Sequence, residues 1–93
     1  MAYVAVTNVD LSGGDRTEGE KILREVLIHR ITAQPGFQNA RFGRSLDGTQ
    51  GVGAVVFDTE ANAKAGLDAL ATNRPPEAPP VVSAAIYELI VEV

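Results

Sequence analysis

Few residues of this 93-residue chain have the chemistry of a site. It contains one His, no Cys and no Trp. Thiolate nucleophiles, thiolate metal sites and a multi-His metal centre within one chain are thereby excluded, and no metal or cofactor is expected. Asn8 follows Val4 and Val6 at alternating positions of an apolar stretch. A buried amide without partners costs about 1–3 kcal/mol, so Asn8 either orients a ligand oxygen or satisfies the adjoining loop. His29 is the one imidazole and a weak candidate for a general base. Its local sequence offers no carboxylate to orient it, and a place near the end of a helix is the commoner use. Arg30 falls within the apolar arc of the same segment, where it pairs with an anionic ligand or snorkels to the rim. Phe42, Phe57 and Tyr87 are three of the five aromatic residues. They either line a flat cavity for a ring-shaped ligand or serve as core or dimer packing.

The remaining polar motifs read as structure. Asp10, Asp15, Asp47 and Asp58 fall in loops or junctions, where turn and cap chemistry explains them. Gly13-Gly14 is not a phosphate cradle, because no Lys-Ser/Thr pair follows it. Gly51-Val52-Gly53 lies in a hairpin and suits a twist or bulge. Residues 74–80 hold four of the five prolines, a stiff extended connection that serves as spacer or lid.

These residues are positioned by six predicted elements. Residues 2–9 read as a strand with Val4, Val6 and Asn8 on one face and Tyr3, Ala5, Thr7 and Val9 on the other. Thr17-x-x-Glu20 is a capping-box pattern opening a helix to about residue 33, with Ile22, Leu23, Val26, Leu27 and Ile31 inward. Glu20–Arg24 and Lys21–Glu25 are spaced as i,i+4 pairs on its wet side. Pro35-Gly36 ends it. Residues 37–46 form a second strand, with Ala40, Phe42, Arg44 and Leu46 on one face. Asp47-Gly48 is the strongest hairpin signal, and residues 51–57 form the third strand. Thr59 caps a second helix with Ala63, Gly66, Leu67 and Leu70 inward. Residues 81–93 read as a long last strand.

The order β-α-β-β-α-β is the ferredoxin-like α+β plan: a four-stranded antiparallel sheet with two helices on one face. All four strands read as apolar on both faces, so the face without helices needs a cover. In one small domain spanning residues 1–93, the natural cover is a second copy packed sheet to sheet.

Composition narrows the function classes. Apolar residues are 45% and charged residues 22%, an ordinary globular balance. A net charge of −4 makes nucleic acid and anionic membranes poor partners. No apolar run approaches a membrane span, and Met1-Ala2-Tyr3 carries no basic leader, so a soluble cytoplasmic protein is expected.

Three stretches carry a family resemblance: Pro35-Gly36-Phe37, Arg44-Ser45-Leu46-Asp47-Gly48, and Val55-Val56-Phe57-Asp58-Thr59-Glu60-Ala61. Together they resemble the dimeric α/β-barrel superfamily, in its antibiotic-biosynthesis monooxygenase-like branch. The resemblance implies a barrel made from the sheets of two copies and a ligand pocket between helices and sheet in each. Some members oxidise aromatic polyketides without a cofactor, and others degrade haem. The haem-degrading members use an Asn near the end of strand one, a Trp at the strand-three junction and a His on helix two. Asn8 matches the first of these, Phe57 stands in the Trp position, and helix two contains no His. The resemblance therefore implies a monooxygenase-like homodimer holding a small apolar or aromatic ligand through Asn8, Arg30, Phe42, Phe57 and Tyr87. It leaves catalysis open, with a cofactor-independent oxygenase as the alternative, and it does not extend to haem degradation.

Overall fold

The computed structural model describes residues 2–14, 16–72 and 78–93. Strand β1 is Tyr3–Asp10. Helix α1 is one continuous rod built from Arg16–Ile22, a π-helical turn over Leu23–Leu27, and Ile28–Thr32. Strands β2 (Phe37–Arg44) and β3 (Gln50–Phe57) form a hairpin, α2 spans Glu60–Thr72, and β4 is Val81–Glu88. The sheet order is β2-β3-β1-β4 with every neighbouring pair antiparallel, the ferredoxin-like α+β arrangement read from the sequence. Residues 74–77 of the proline-rich connection lie outside the described residues.

Local chemistry sets the boundaries. Helix α1 begins at Arg16, so Thr17 sits inside the first turn rather than ahead of it. Glu20 of α1 also reaches across to Arg44 on β2 at 2.7 Å. The Asn62 N–H donates to the Thr59 hydroxyl at 3.1 Å, the expected cap of α2. Strand β2 stops at Arg44 because the Ser45 N–H bonds the Gln50 carbonyl at 2.8 Å and closes a loop over residues 46–49. Leu46 is therefore fully exposed in the turn, not on the apolar face of the strand. Strand β4 ends where its partner ends. Tyr3 pairs with Glu88, the Leu89 N–H takes the Ala2 carbonyl at 2.9 Å, and residues 89–93 leave the sheet instead of prolonging it.

The π turn decides which face of α1 is buried. Ile22 and Ile31 are the buried residues of this helix. Nine residues at about 100° each would set them on opposite sides of a regular helix. The Ile28 N–H instead reaches the Leu23 carbonyl, taking one extra residue into the turn. That draws the two isoleucines back toward one face by about 100°.

The core lies between the helices and the two central strands. Ala5, Val55 and Phe57 meet Ile31 and Ala63, with Tyr3, Leu27, Phe37, Phe42, Leu70 and Ile86 around them. The opposite face carries Val4, Val6 and Asn8, whose cross-strand partners are Val56, Ala54 and Val52 on β3 and Tyr87, Ala85 and Ser83 on β4. Strand β2 departs from the expected two-sided apolar pattern. It presents Asn39, Arg41 and Gly43 there, all exposed. The uncovered apolar patch thus belongs to β1, β3 and β4. No helix among the described residues is long and apolar enough to cross a membrane.

The hairpin loop strongly perturbs one carboxyl. The Ser45 hydroxyl and the Thr49 N–H and hydroxyl all donate to Asp47, at 2.7–3.0 Å. They lower its pKa from 3.8 to about 2. The loop binds the charged form. Its contribution to stability is complete above the ordinary value of 3.8 and disappears as pH falls through about 2. An NMR titration of the Asp47 carboxyl is expected to show that midpoint, with the Thr49 amide moving in step. A midpoint near 3.8 would remove this assignment.

Candidate functional site

The interior between helices and sheet is shaped by glycines facing aromatic rings. Phe57 is 1% exposed and lies over Gly66 of α2; a Cβ built on Gly66 would stand 2.8 Å from the ring Cε1. Phe42 lies over Gly53 in the same way, at 2.9 Å, with the Thr7 hydroxyl oxygen 3.1 Å from the same point. The rings fill the space that side chains at positions 53 and 66 would occupy. This end of the interior is packed core.

Between the helices a small crevice remains. Leu27, Arg30 and Gln34 from the α1 side face Ala69 and Leu70 of α2 around about 40 Å³. That is room for a few water molecules, since about 10–15 Å³ of such space suffices for one. The Gln34 amide donates to the Arg30 carbonyl at 3.3 Å, which ties the two polar residues of the rim together. The crevice has an apolar floor with a guanidinium and an amide at its edge, so it suits an apolar body bearing an acceptor group.

The structure divides the residues singled out in the sequence. Phe42 and Phe57 face the helices, and Arg30 lines the crevice. Asn8 and Tyr87 lie on the opposite face of the sheet. The Asn8 amide donates to the Ser83 hydroxyl at 3.1 Å, and Tyr87 is 55% exposed. Within one copy the structure does not bring Asn8 and Tyr87 together with Arg30, Phe42 and Phe57. Strict alternation puts Asn8 on the face away from Ala5. His29 is exposed near the end of α1, outside the crevice lining, where its carbonyl accepts from the Thr32 hydroxyl at 3.3 Å. The helix-face residue that the sequence reading passed over is Thr7. Its signal was available, because it shares the face of Ala5 one residue before Asn8. Among the described residues no group of three or more His, Cys, Asp or Glu is placed to hold a metal ion.

A second depression lies on the outer face. Asn39, Arg41 and Val56 form one side of an open groove of about 550 Å³, and Leu89, Glu92 and Val93 form the other.

No family model matches the chain, and neither does any curated protein sequence. Solved structures do match. The cofactor-independent oxygenase SnoaB from Streptomyces nogalater superposes with a TM-score of 0.75 at 15% identity, covering 99% of this chain and 96% of that one. The haem degrader MhuD from Mycobacterium tuberculosis, with two haems bound, gives 0.74 at 18% identity and covers 98% of each chain. The Streptomyces coelicolor monooxygenase from ActVA-Orf6, in complex with nanaomycin D, gives 0.68 at 19% identity and covers 99% and 90%. The chain shares the fold of these oxygenase and haem-degrader structures, the fold that the three sequence stretches implied.

Proposed function

We propose that this chain is a monooxygenase-like homodimer that binds a small apolar or aromatic ligand between its helices and sheet, entering at the Arg30–Gln34 crevice. The observation that carries the dimer is the outer face. Val4, Val6, Ala54 and Val56 form a continuous patch, with Val52 43% and Tyr87 55% exposed beside it. Burial of such a patch is worth about 25 cal/mol per Å², and a second copy presents the same patch across a two-fold axis. Asn8 and Tyr87 then belong to the dimer interface rather than to the ligand site. The crevice supports the ligand: its walls are Leu27, Ala69 and Leu70, and Arg30 offers a fork to an oxyanion or carbonyl. Since the crevice is small at rest, a ring-sized ligand must part the two helices to enter. Such a protein is at home in the cytoplasm.

The second reading, a cofactor-independent oxygenase acting on an aromatic substrate, is favoured by the likeness to SnoaB. On that reading the substrate itself supplies the electron to oxygen, and Arg30 steadies the charge that forms on it.

A native mass spectrum of the freshly purified protein tests the reading. The expected result is twice 9.8 kDa with a discrete adduct. A monomer at micromolar concentration would sink the dimer. For a dimer without adduct, titration with 1-naphthol under oxygen decides the rest. Saturable binding supports the ligand site, product formation supports the oxygenase, and neither removes both.

A further inference from the structure

We infer that the π turn of α1 is stored slack, which lets the middle of the helix bow away from α2 and admit a flat ring to the crevice; this rests on the ligand site proposed above. The turn, Leu23–Leu27, takes in one residue more than a regular helix does, and none of its residues is buried. It lies between two fixed points. On one side Ile22 is buried, and the Arg44 guanidinium of β2 donates to the Glu20 carboxylate at 2.7 Å. On the other side Ile31 is buried in the core, and the Asp58 N–H donates to the Gly36 carbonyl at 3.0 Å. A regular rod pinned at both ends cannot bow without pulling one of them loose. A rod with a residue to spare can.

The size of the movement follows from helix geometry. Ile22 and Ile31 share a face as residues eight apart do on a regular helix, a span of about 12 Å. Nine residues supply about 13.5 Å of helix. The surplus of about 1.5 Å, drawn out as a shallow bend with fixed ends, carries the midpoint sideways by about 3 Å. Carbon atoms in contact lie about 3.5 Å apart, so this movement is close to the thickness of an aromatic ring. The bow also acts at the right place. Leu27, the last residue of the turn, is a wall of the crevice facing Ala69 and Leu70 of α2, and Arg30 follows within one turn. Leu23, Val26, Leu27 and Ile28 are all half-buried. They are apolar surface that the packing of the helix leaves partly open and that a ring between the helices would cover. Single π turns inside α-helices are frequent at functional sites.

Deletion of Glu25, exposed within the turn, removes the spare residue and keeps the two isoleucines on one face. The shortened chain is expected to fold with a urea midpoint at or above that of the full chain. It is expected to bind 1-naphthol with a dissociation constant at least tenfold higher. Equal binding by the two proteins overturns the inference and leaves the ligand site standing. Deletion of Arg24, also exposed in the turn, repeats the test where the first deletion fails to fold. Failure of both to fold shows that the extra residue is needed to build the helix, and overturns the inference as well. A second measurement needs no ligand. In the full chain the amides of Val26, Leu27 and Ile28 are expected to exchange with deuterated water at least tenfold faster than in the shortened chain, because the bow opens their hydrogen bonds. Equal exchange shows that the turn stores no motion and overturns the slack. A full chain that binds no 1-naphthol removes the ligand site, and the exchange comparison alone then decides whether the helix bows.

Discussion

Gly36→Ala is expected to destabilise the chain by about 2–5 kcal/mol, combining about 1–2 kcal/mol for a left-handed backbone with about 1–3 kcal/mol for forced packing. Gly36 has φ +79°, in the region that glycine occupies without strain. The added Cβ would run into the Asp58 carboxylate and stand 2.5 Å from Asn62 Nδ2 and 2.9 Å from Asn62 Cβ. The two polar tips can swing aside, at the expense of the 2.8 Å hydrogen bond between them. Asn62 Cβ cannot, because it is fixed to α2. The Asp58 N–H also donates to the Gly36 carbonyl at 3.0 Å, so the end of α1 and the start of α2 are joined at this point. Gly48 supplies the control. Its φ is +77°, and an added Cβ would meet nothing within 4 Å. Gly48→Ala should therefore lose only the backbone part, about 1–2 kcal/mol. Urea midpoints with unchanged slopes are the measurement. Equal losses in the two variants would show that the positive φ alone matters and that the Asp58–Asn62 lock contributes nothing.

That lock explains why short motifs reported the fold well. Pro35-Gly36-Phe37 and Asp58-Thr59 are about twenty positions apart in sequence, and they meet in space through the Gly36 carbonyl and the Asp58 amide. Each has a local reason as well: a helix stop in one case, a helix cap in the other. Where local chemistry and global contact agree, the sequence reads plainly. The alternation of β1 is another case. Ala5 is 2% exposed on one face, while Val4 and Val6 lie on the other, as period-two reading requires.

The parts that did not read plainly depend on contacts that no local pattern encodes. Ile22 and Ile31 share the inner side of α1 only because a π turn intervenes, and the residues of that turn, Leu23–Leu27, are ordinary helix formers. The continued apolar character of residues 81–93 predicts a last strand reaching residue 93. It stops at Glu88, which pairs with Tyr3, the first residue of β1. The candidate site suffered for a different reason. Residue type drew attention to Asn8 and Tyr87, but a site is defined by the face a side chain occupies. Both lie across the sheet from Phe42, Phe57 and Arg30. The same alternation that placed Ala5 correctly would have assigned Thr7, rather than Asn8, to the helix face.

Gly66→Ala offers the second large effect, and its sign is set by a competition. Alanine in place of glycine inside α2 should favour the helix by about 1 kcal/mol. The new methyl would collide with the tip of the Phe57 ring and stand 2.8 Å from its Cε1. Phe57 has no free direction. It is 1% exposed and packed among Ala5, Val55, Ile31 and Ala63. Overpacking against so confined a ring should fall in the upper part of its range, about 2–3 kcal/mol, so packing outweighs propensity by about 1–2 kcal/mol. For a domain of this size that lowers Tm by about 4–8 °C per kcal/mol. A double-mutant cycle with Phe57→Leu isolates the cause. Leucine is shorter than phenylalanine where the collision occurs, so the double variant should be more stable than the sum of the single losses predicts, by about 1–2 kcal/mol. Strict additivity would mean that α2 shifts bodily on the sheet to accept the methyl. In that case the space between helices and sheet is adjustable, which is the property that a ring-sized ligand entering past Arg30 requires.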